Sequence, residues 1–162
     1  MALVLQHPGH MLIMAERSAM KISKNGQYAL LSVADLAMHQ ADAHQSIAQI
    51  AQRQNIDPRF LGQIFFALKN AGIITGIRGK GGGYLLSRPA QDITAGEVVR
   101  AVEGDLMPTQ CCAGDAGSHS CGVFDECLTR SLWRAISREI NQTLDSLTID
   151  DIIRIYQKDV PQ

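Results

Sequence analysis

All four cysteines of the chain, Cys111, Cys112, Cys121 and Cys127, fall within CCAGDAGSHSCGVFDEC, seventeen positions of a 162-residue sequence. Between Cys112, Cys121 and Cys127 stand eight and then five residues. Thiolates are soft ligands, and three or four converging from one loop fit an iron-sulfur cluster better than a hard cation. A zinc site usually shows paired C-x-x-C ligands, which this loop lacks. Reversible thiol oxidation is the other chemistry open to such a group. Nothing points to an enzyme: the sequence has neither a C-x-x-C pair nor a nucleotide fingerprint.

Residues 105–126 form a loop by composition, rich in Gly, Ser and Cys. Beyond it, residues 127–162 hold CLTRSLWRAISREINQTLDSL and a last short segment. Leu128, Leu132, Ile136, Ile140 and Leu144 recur at i+4, and Trp133 and Leu147 broaden the stripe. A small domain alone cannot cover such a face. It is expected to pack against its twofold mate as a dimerisation helix, making the protein a homodimer. Thr148 and Asp151 box a short final helix, IDDIIRIYQ.

The chain is 46% hydrophobic with a formal net charge of -1, enough for one core plus an oligomerisation element. Residues 1–19 have two short apolar runs broken by Pro8 and Gly9, well short of the roughly 20 apolar residues of a membrane span. They are read as a disordered extension, and no membrane partner is expected. Charge is unevenly placed: nine Lys and Arg against four Asp and Glu through residue 90, six against twelve after it. The first part is therefore the candidate for a polyanionic partner.

Residues 20–104 read as a DNA-binding domain. KNGQYALLSVADLAMH places Ala29, Leu30, Val33, Ala34 and Ala37 on one helical face. A second, short helix follows a Ser46/Gln49 capping box. A third starts with Asp57 as N-cap and Pro58 at its first position and stops at Asn70-Ala71-Gly72. Leu61, Ile64, Phe65 and Leu68 form its buried face, with Arg59, Gly62, Gln63, Phe66 and Lys69 toward the other side. Two helices joined by a polar turn over Gln52–Asn55 make a helix-turn-helix, the second helix entering the DNA major groove.

IITGIRGKGGGYLLS then reads as strand, glycine-rich turn, strand, with Arg78 and Lys80 at the tip. This is a wing: its glycines admit close approach to a phosphodiester chain, and an arginine is drawn into a narrow minor groove. A nucleotide-binding loop is the competing reading. It lacks the Gly-Lys-Ser/Thr ending, and a strand rather than a helix follows. A further helix, boxed by Thr94 and Glu97, is expected to pack Ile93, Val98, Val99 and Val102 under the wing. The fold class is thus mainly α with a small β-hairpin wing: a winged helix-turn-helix domain plus a long dimerisation helix.

MKISKNGQYAL, LGQIFFALKNAGIITGIRGKGGGYLLSRP, ITAGEVVRAVEG and CLTRSLW together resemble the IscR, NsrR and CymR family of winged helix-turn-helix transcription regulators, over residues 20 to about 156. The resemblance implies a cytoplasmic homodimer binding a palindromic operator in double-stranded DNA. It also implies a cysteine loop holding an iron-sulfur cluster, 2Fe-2S and labile, at Cys112, Cys121 and Cys127. DNA contacts carried over by position are Ser23, Tyr28, Arg59, Gln63, Arg78 and Gly79, with Lys80 beside them. The chemistry agrees for Gln63, which can pair bidentately with adenine, and for Arg59, with guanine. An aromatic on a first helix, such as Tyr28, is more often core. Gly62 stands where the IscR branch has a glutamate that helps choose between operator classes.

The family's histidine ligand, three residues after the last cysteine, is replaced by Arg130, and an always-protonated guanidinium cannot coordinate iron. In the NsrR branch an acidic residue near the first helix serves from the other subunit; Gln27 holds that position here. Cys111 and His119 are the remaining candidates for a fourth ligand, Cys111 being the softer. The expected function is a transcriptional repressor sensing cluster, iron or redox status. The alternative is a cluster-free regulator resembling CymR, controlled by thiol oxidation or a partner protein.

Overall fold

The computed structural model describes residues 22–39, 44–79, 81–104, 106–107 and 127–159. The extension assigned to residues 1–19 lies outside these, as does nearly all of the 105–126 loop. Among the described residues six helices and one hairpin follow in order: α1 (Lys24–His39), α2 (Ile47–Gln54), α3 (Pro58–Asn70), β1 (Ile74–Ile77), β2 (Gly83–Leu86), α4 (Ala95–Glu103), α5 (Arg130–Ser146) and α6 (Ile149–Asp159). A short 3-10 turn, Ala90–Asp92, precedes α4.

The boundaries follow from local chemistry. Ser46 accepts from the Gln49 amide and Gln49 reaches back to the Ser46 amide, so two orphan donors at the head of α2 are satisfied. Asp57 accepts from the amides of Arg59, at 2.7 Å, and Phe60, and Pro58 opens α3 without a wasted N–H. Gly72, at φ 71°, turns the chain out of α3 while the Ile73 amide closes on Leu68 O at 3.0 Å. Reciprocal boxes, Thr94 with Glu97 and Thr148 with Asp151, open α4 and α6.

Three expectations need correction. The turn of the helix-turn-helix is not Gln52–Asn55, because α2 runs on to Gln54. The turn is Asn55-Ile56-Asp57, with Asn55 in the left-handed region at φ 52° and Ile56 buried as its hydrophobic pin. Nor does α4 lie under the wing: it packs chiefly on α1, and also on α3 and α5, because Val98 and Val99 face the helical core. Finally, α5 begins at Arg130, so Leu128 stands in the turn before the helix, 99% exposed.

Ala29, Val33 and Leu36 of α1, Ile50 of α2, Leu61, Phe65 and Leu68 of α3, Ile93, Val98 of α4 and Ile149 of α6 form one core. The hairpin is antiparallel, with Ile74 opposite Leu86 and Ile77 opposite Gly83. Its β1 burial pattern is one buried residue, Ile74, then three exposed ones, as suits a hairpin anchored at its base and projecting at its tip. Behind the core, α5 lies against α4: Arg100 donates to Asp145 at 2.5 Å. Ser137 and Asn141 of α5 both donate to Leu106 O at 3.0 Å.

Candidate nucleic-acid interface and thiol loop

The face of α3 opposite the core carries Arg59, Gln63, Phe66 and Asn70, all exposed. Gln63 borders a shallow hollow with Asn25, Phe60 and Val102, which places it beside the start of α1. Tyr28 of α1 is half-buried and meets Phe60 edge-on, ring centroids 5.7 Å apart. Ser23 is exposed, and its hydroxyl donates to Glu103 at 2.8 Å while accepting from the Asn25 amide. The same Glu103 carboxylate accepts from the Gly26 amide at 2.7 Å. A side chain at Gly26 would run into that carboxylate and into Ile22.

The wing is held from two sides. Tyr84 of β2 packs edge-on against Phe65 of α3, centroids 4.9 Å apart. Gln45, between α1 and α2, pairs with Tyr84 through backbone bonds in both directions, at 3.0 and 2.8 Å. Gln45 thus acts as a one-residue third strand, and Gly83 is required there because a Cβ would stand 2.7 Å from Gln45 O. His44 contacts Gly81 O at the tip. Gly79 at φ 119° and Gly81 at φ 87° make the tight tip, closed by the Gly82 amide donating to Gly79 O at 2.9 Å. Arg78 is exposed beside them and shares a groove with Lys69, Ser46 and Tyr84. Lys80 lies outside the described residues.

An ion pair with a buried carboxylate fixes α1 against α2, and the sequence reading missed it. Asp35, 3% exposed, accepts from Arg53 Nε at 3.0 Å and Nη2 at 2.6 Å, and from Gln54 at 2.7 Å. The bond to Asp35 raises Arg53 above its already high value, against the opposing pull of burial. Arg53 also donates to Gln45 Oε1 at 3.0 Å, and Gln45 Nε2 donates to His39 O. One network therefore sets the α1–α2 angle and holds the residue that pairs with the wing. Its signal in the sequence was a carboxylate inside the apolar stripe of the first helix, between Val33 and Leu36.

Of the thiols, Cys127 is described; Cys111, Cys112, Cys121 and His119 lie outside the described residues. Cys127 is partly exposed immediately before α5. The Thr129 hydroxyl, with Sγ and Oγ1 3.5 Å apart, and the Thr129 amide lower its pKa, joined more weakly by the Arg130 amide and charge. The Arg130 amide also donates to Cys127 O at 3.3 Å. Among the described residues no three His, Cys, Asp or Glu side chains converge as a metal site. A soft, thiolate-favouring donor at this position fits an iron-sulfur group, whose other ligands would come from residues 111–121.

Leu132, Trp133, Ile136, Ile140 and Leu144 of the stripe lie on α5, largely uncovered within one chain. Ser137 is the one residue of α5 that is buried, Leu132 is 55% exposed, and Trp133, Ile136, Ile140 and Leu144 are only half-buried. A second apolar surface lies between α1 and α6, where Leu30, Leu31, Met38, Ile153 and Tyr156 line a groove of about 630 Å³. Among the described residues no helix is long and apolar enough to cross a membrane.

A helix-turn-helix with a riveted wing and a cysteine at the foot of the following helix agrees with the family comparison. The model of Rrf2, iron-dependent transcriptional regulator, matches residues 22–155. The chain belongs to the Rrf2 family. The HTH-type transcriptional regulator IscR of Pectobacterium atrosepticum is 36% identical over 134 residues, covering 83% of this chain and 79% of that one. IscR of Yersinia enterocolitica is 35% identical over the same coverage. Among solved structures, T. potens IscR superposes with a TM-score of 0.70 at 31% identity, covering 88% of this chain and 93% of that one. CymR, the global cysteine regulator of B. subtilis, gives 0.69 at 32%, covering 83% and 97%. As an Rrf2 protein the chain is a DNA-binding transcriptional regulator and not an enzyme.

Proposed function

We propose that this Rrf2 regulator is a cytoplasmic homodimer that represses from a palindromic operator and senses iron-sulfur status. Cys112, Cys121 and Cys127 hold a 2Fe-2S cluster, with Cys111 or His119 completing the ligand set. Each half-site takes one α3 in the major groove, where Arg59 and Gln63 pair with base edges. Arg78 and Gly79, with Lys80, bring one wing to the adjacent minor groove, and Ser23 and Tyr28 approach the backbone from the start of α1. The second copy covers Leu128, in the turn before α5, and the α5 stripe of Leu132, Trp133, Ile136, Ile140 and Leu144, an apolar face that one chain leaves open.

The observation that carries the sensing role is the position of Cys127 at the foot of α5. The bound cluster supplies redox and iron-responsive chemistry to the loop. The chain's own residues pass the loop's state onward: α5 is tied to α4 by Arg100–Asp145, and to the loop's first residues by Ser137 and Asn141 on Leu106. A change in how the loop seats on α5 then biases the relative pose of the two DNA-binding units.

Anaerobic purification tests this directly. The full-length wild type is expected to show a visible absorption band and bound iron and sulfide, both lost in Cys112→Ala and Cys121→Ala. Of Cys111→Ala and His119→Ala, one retains the wild-type spectrum and the other does not. A colourless, iron-free wild type that still binds its operator, and releases it on thiol oxidation, would replace the cluster with a redox switch.

A further inference from the structure

The outward face of α3 carries a residue that hydrogen-bonded base reading does not use. Phe66 is 69% exposed, while Leu61, Ile64, Phe65 and Leu68 of the same helix are buried. At about 100° per residue, Phe66 lies about 20° around the helix from Arg59 and about 60° from Gln63, at the centre of the outward stripe. Leaving a phenyl ring in water forgoes one of the larger apolar gains available to a side chain.

Gly62, one turn earlier, sharpens the point. A Cβ there would meet nothing within 4 Å, and its backbone is not among the glycines with positive φ. Neither packing within the chain nor backbone geometry requires glycine at that position. Helical side chains lean toward the helix N-terminus, so Phe66 leans toward the turn that holds Gly62 and Gln63. A bare Gly62 keeps that turn open to whatever approaches the helix.

We propose that Phe66 reads the C5-methyl group of a thymine in the major groove, on the base pair next to the one addressed by Gln63. The thymine methyl is the apolar feature displayed on a major-groove base edge, and phenylalanine is among the side chains that match it. Three residues advance Phe66 about 4.5 Å along the helix from Gln63. Successive base pairs are about 3.4 Å apart, so the ring addresses the neighbouring pair. The amide and the ring would then specify two adjacent positions of each half-site by different chemistry. This assignment rests on α3 being the reading helix.

Operator duplexes are selected from a random-sequence library with the anaerobically purified full-length protein, and each thymine of the selected half-site is replaced by uracil, which lacks only the methyl. One position is expected to weaken wild-type binding about four-fold per half-site, the effect of one buried methyl-sized group. Phe66→Ser should lose that sensitivity while keeping its melting temperature and its affinity for non-specific duplex; Phe66→Leu should retain part of it. If no uracil position separates wild type from Phe66→Ser, the assignment is overturned. Failure of the wild type to select any sequence would instead overturn the reading role of α3.

Discussion

Phe65 of α3 and Tyr84 of β2 meet edge to face, 4.9 Å between centroids, which ties the second helix of the helix-turn-helix to the hairpin. Such a pair contributes about 1 kcal/mol beyond its buried area. Tyr84→Ala is expected to cost about 2 kcal/mol of stability and to weaken operator binding. In a double-mutant cycle read by operator titration, Arg78→Ala should cost less in the Tyr84→Ala background than alone, because the wing is no longer held in place.

Arg78 is exposed at the wing tip, with left-handed Gly79 beside it. Arg78→Ala should weaken operator binding and lower the dependence of log affinity on log salt by about one ion. Binding isotherms across a salt series check this; an unchanged slope would remove Arg78 from the phosphate-proximal set.

The Asp35–Arg53 pair joins α1 to α2 with its carboxylate almost wholly buried. Arg53→Ala strands the buried carboxylate and is expected to cost about 3 kcal/mol, whereas Asp35→Ala leaves a partly exposed guanidinium and should cost less. An apolar replacement of both partners should recover much of the loss, as followed by urea unfolding.

Two capping carboxylates set an acid limit. Burial pushes Glu97 upward, but the Thr94 amide and Arg88 outweigh it and the net shift is downward. Asp151 is lowered by the Thr148 hydroxyl and amide. A carboxylate depressed in the folded state stabilises fully above its unfolded pKa, and that contribution is lost as pH falls through the folded value. Melting temperature should therefore be flat in these groups above about pH 5 and fall below about pH 4. Thr94→Ala, costing about 1 kcal/mol at neutral pH, should flatten part of that decline.

Ile136 and Ile140 lie half-buried on the open stripe of α5. Replacing both with glutamate is expected to give a folded monomer in sedimentation velocity that binds half-site DNA weakly and the full operator without cooperativity. A dimer that survives the substitution would place the twofold contact elsewhere, for instance in the α1–α6 groove.

Much of the fold could be read from local chemistry. The first helix, the boxes at Ser46, Thr94 and Thr148, the Asp57-Pro58 start and the Gly72 stop are each decided by residues within a turn of one another. What escaped depends on partners distant in sequence. Gln45 looks like loop polarity until Tyr84 is laid beside it, and Asp35 looks misplaced until Arg53 reaches it. The packing of α4 is hidden for the same reason, since its apolar face fits equally well under a hairpin or against α1. Of the candidate site, exposure of Arg59, Gln63 and Arg78 accords with the spacing argument, whereas Ser23 turned out to be engaged by Glu103.

That last contact has a mechanical side. Glu103 ends α4, and its carboxylate takes bonds from the Ser23 hydroxyl and the Gly26 amide at the head of α1. Beyond it stands Gly104, which leads toward the thiols. Glu103, the residue before Gly104, is therefore linked directly to the opening turn of α1. The segment that leaves toward the cysteines is thus the one whose last helical residue also fastens the start of α1.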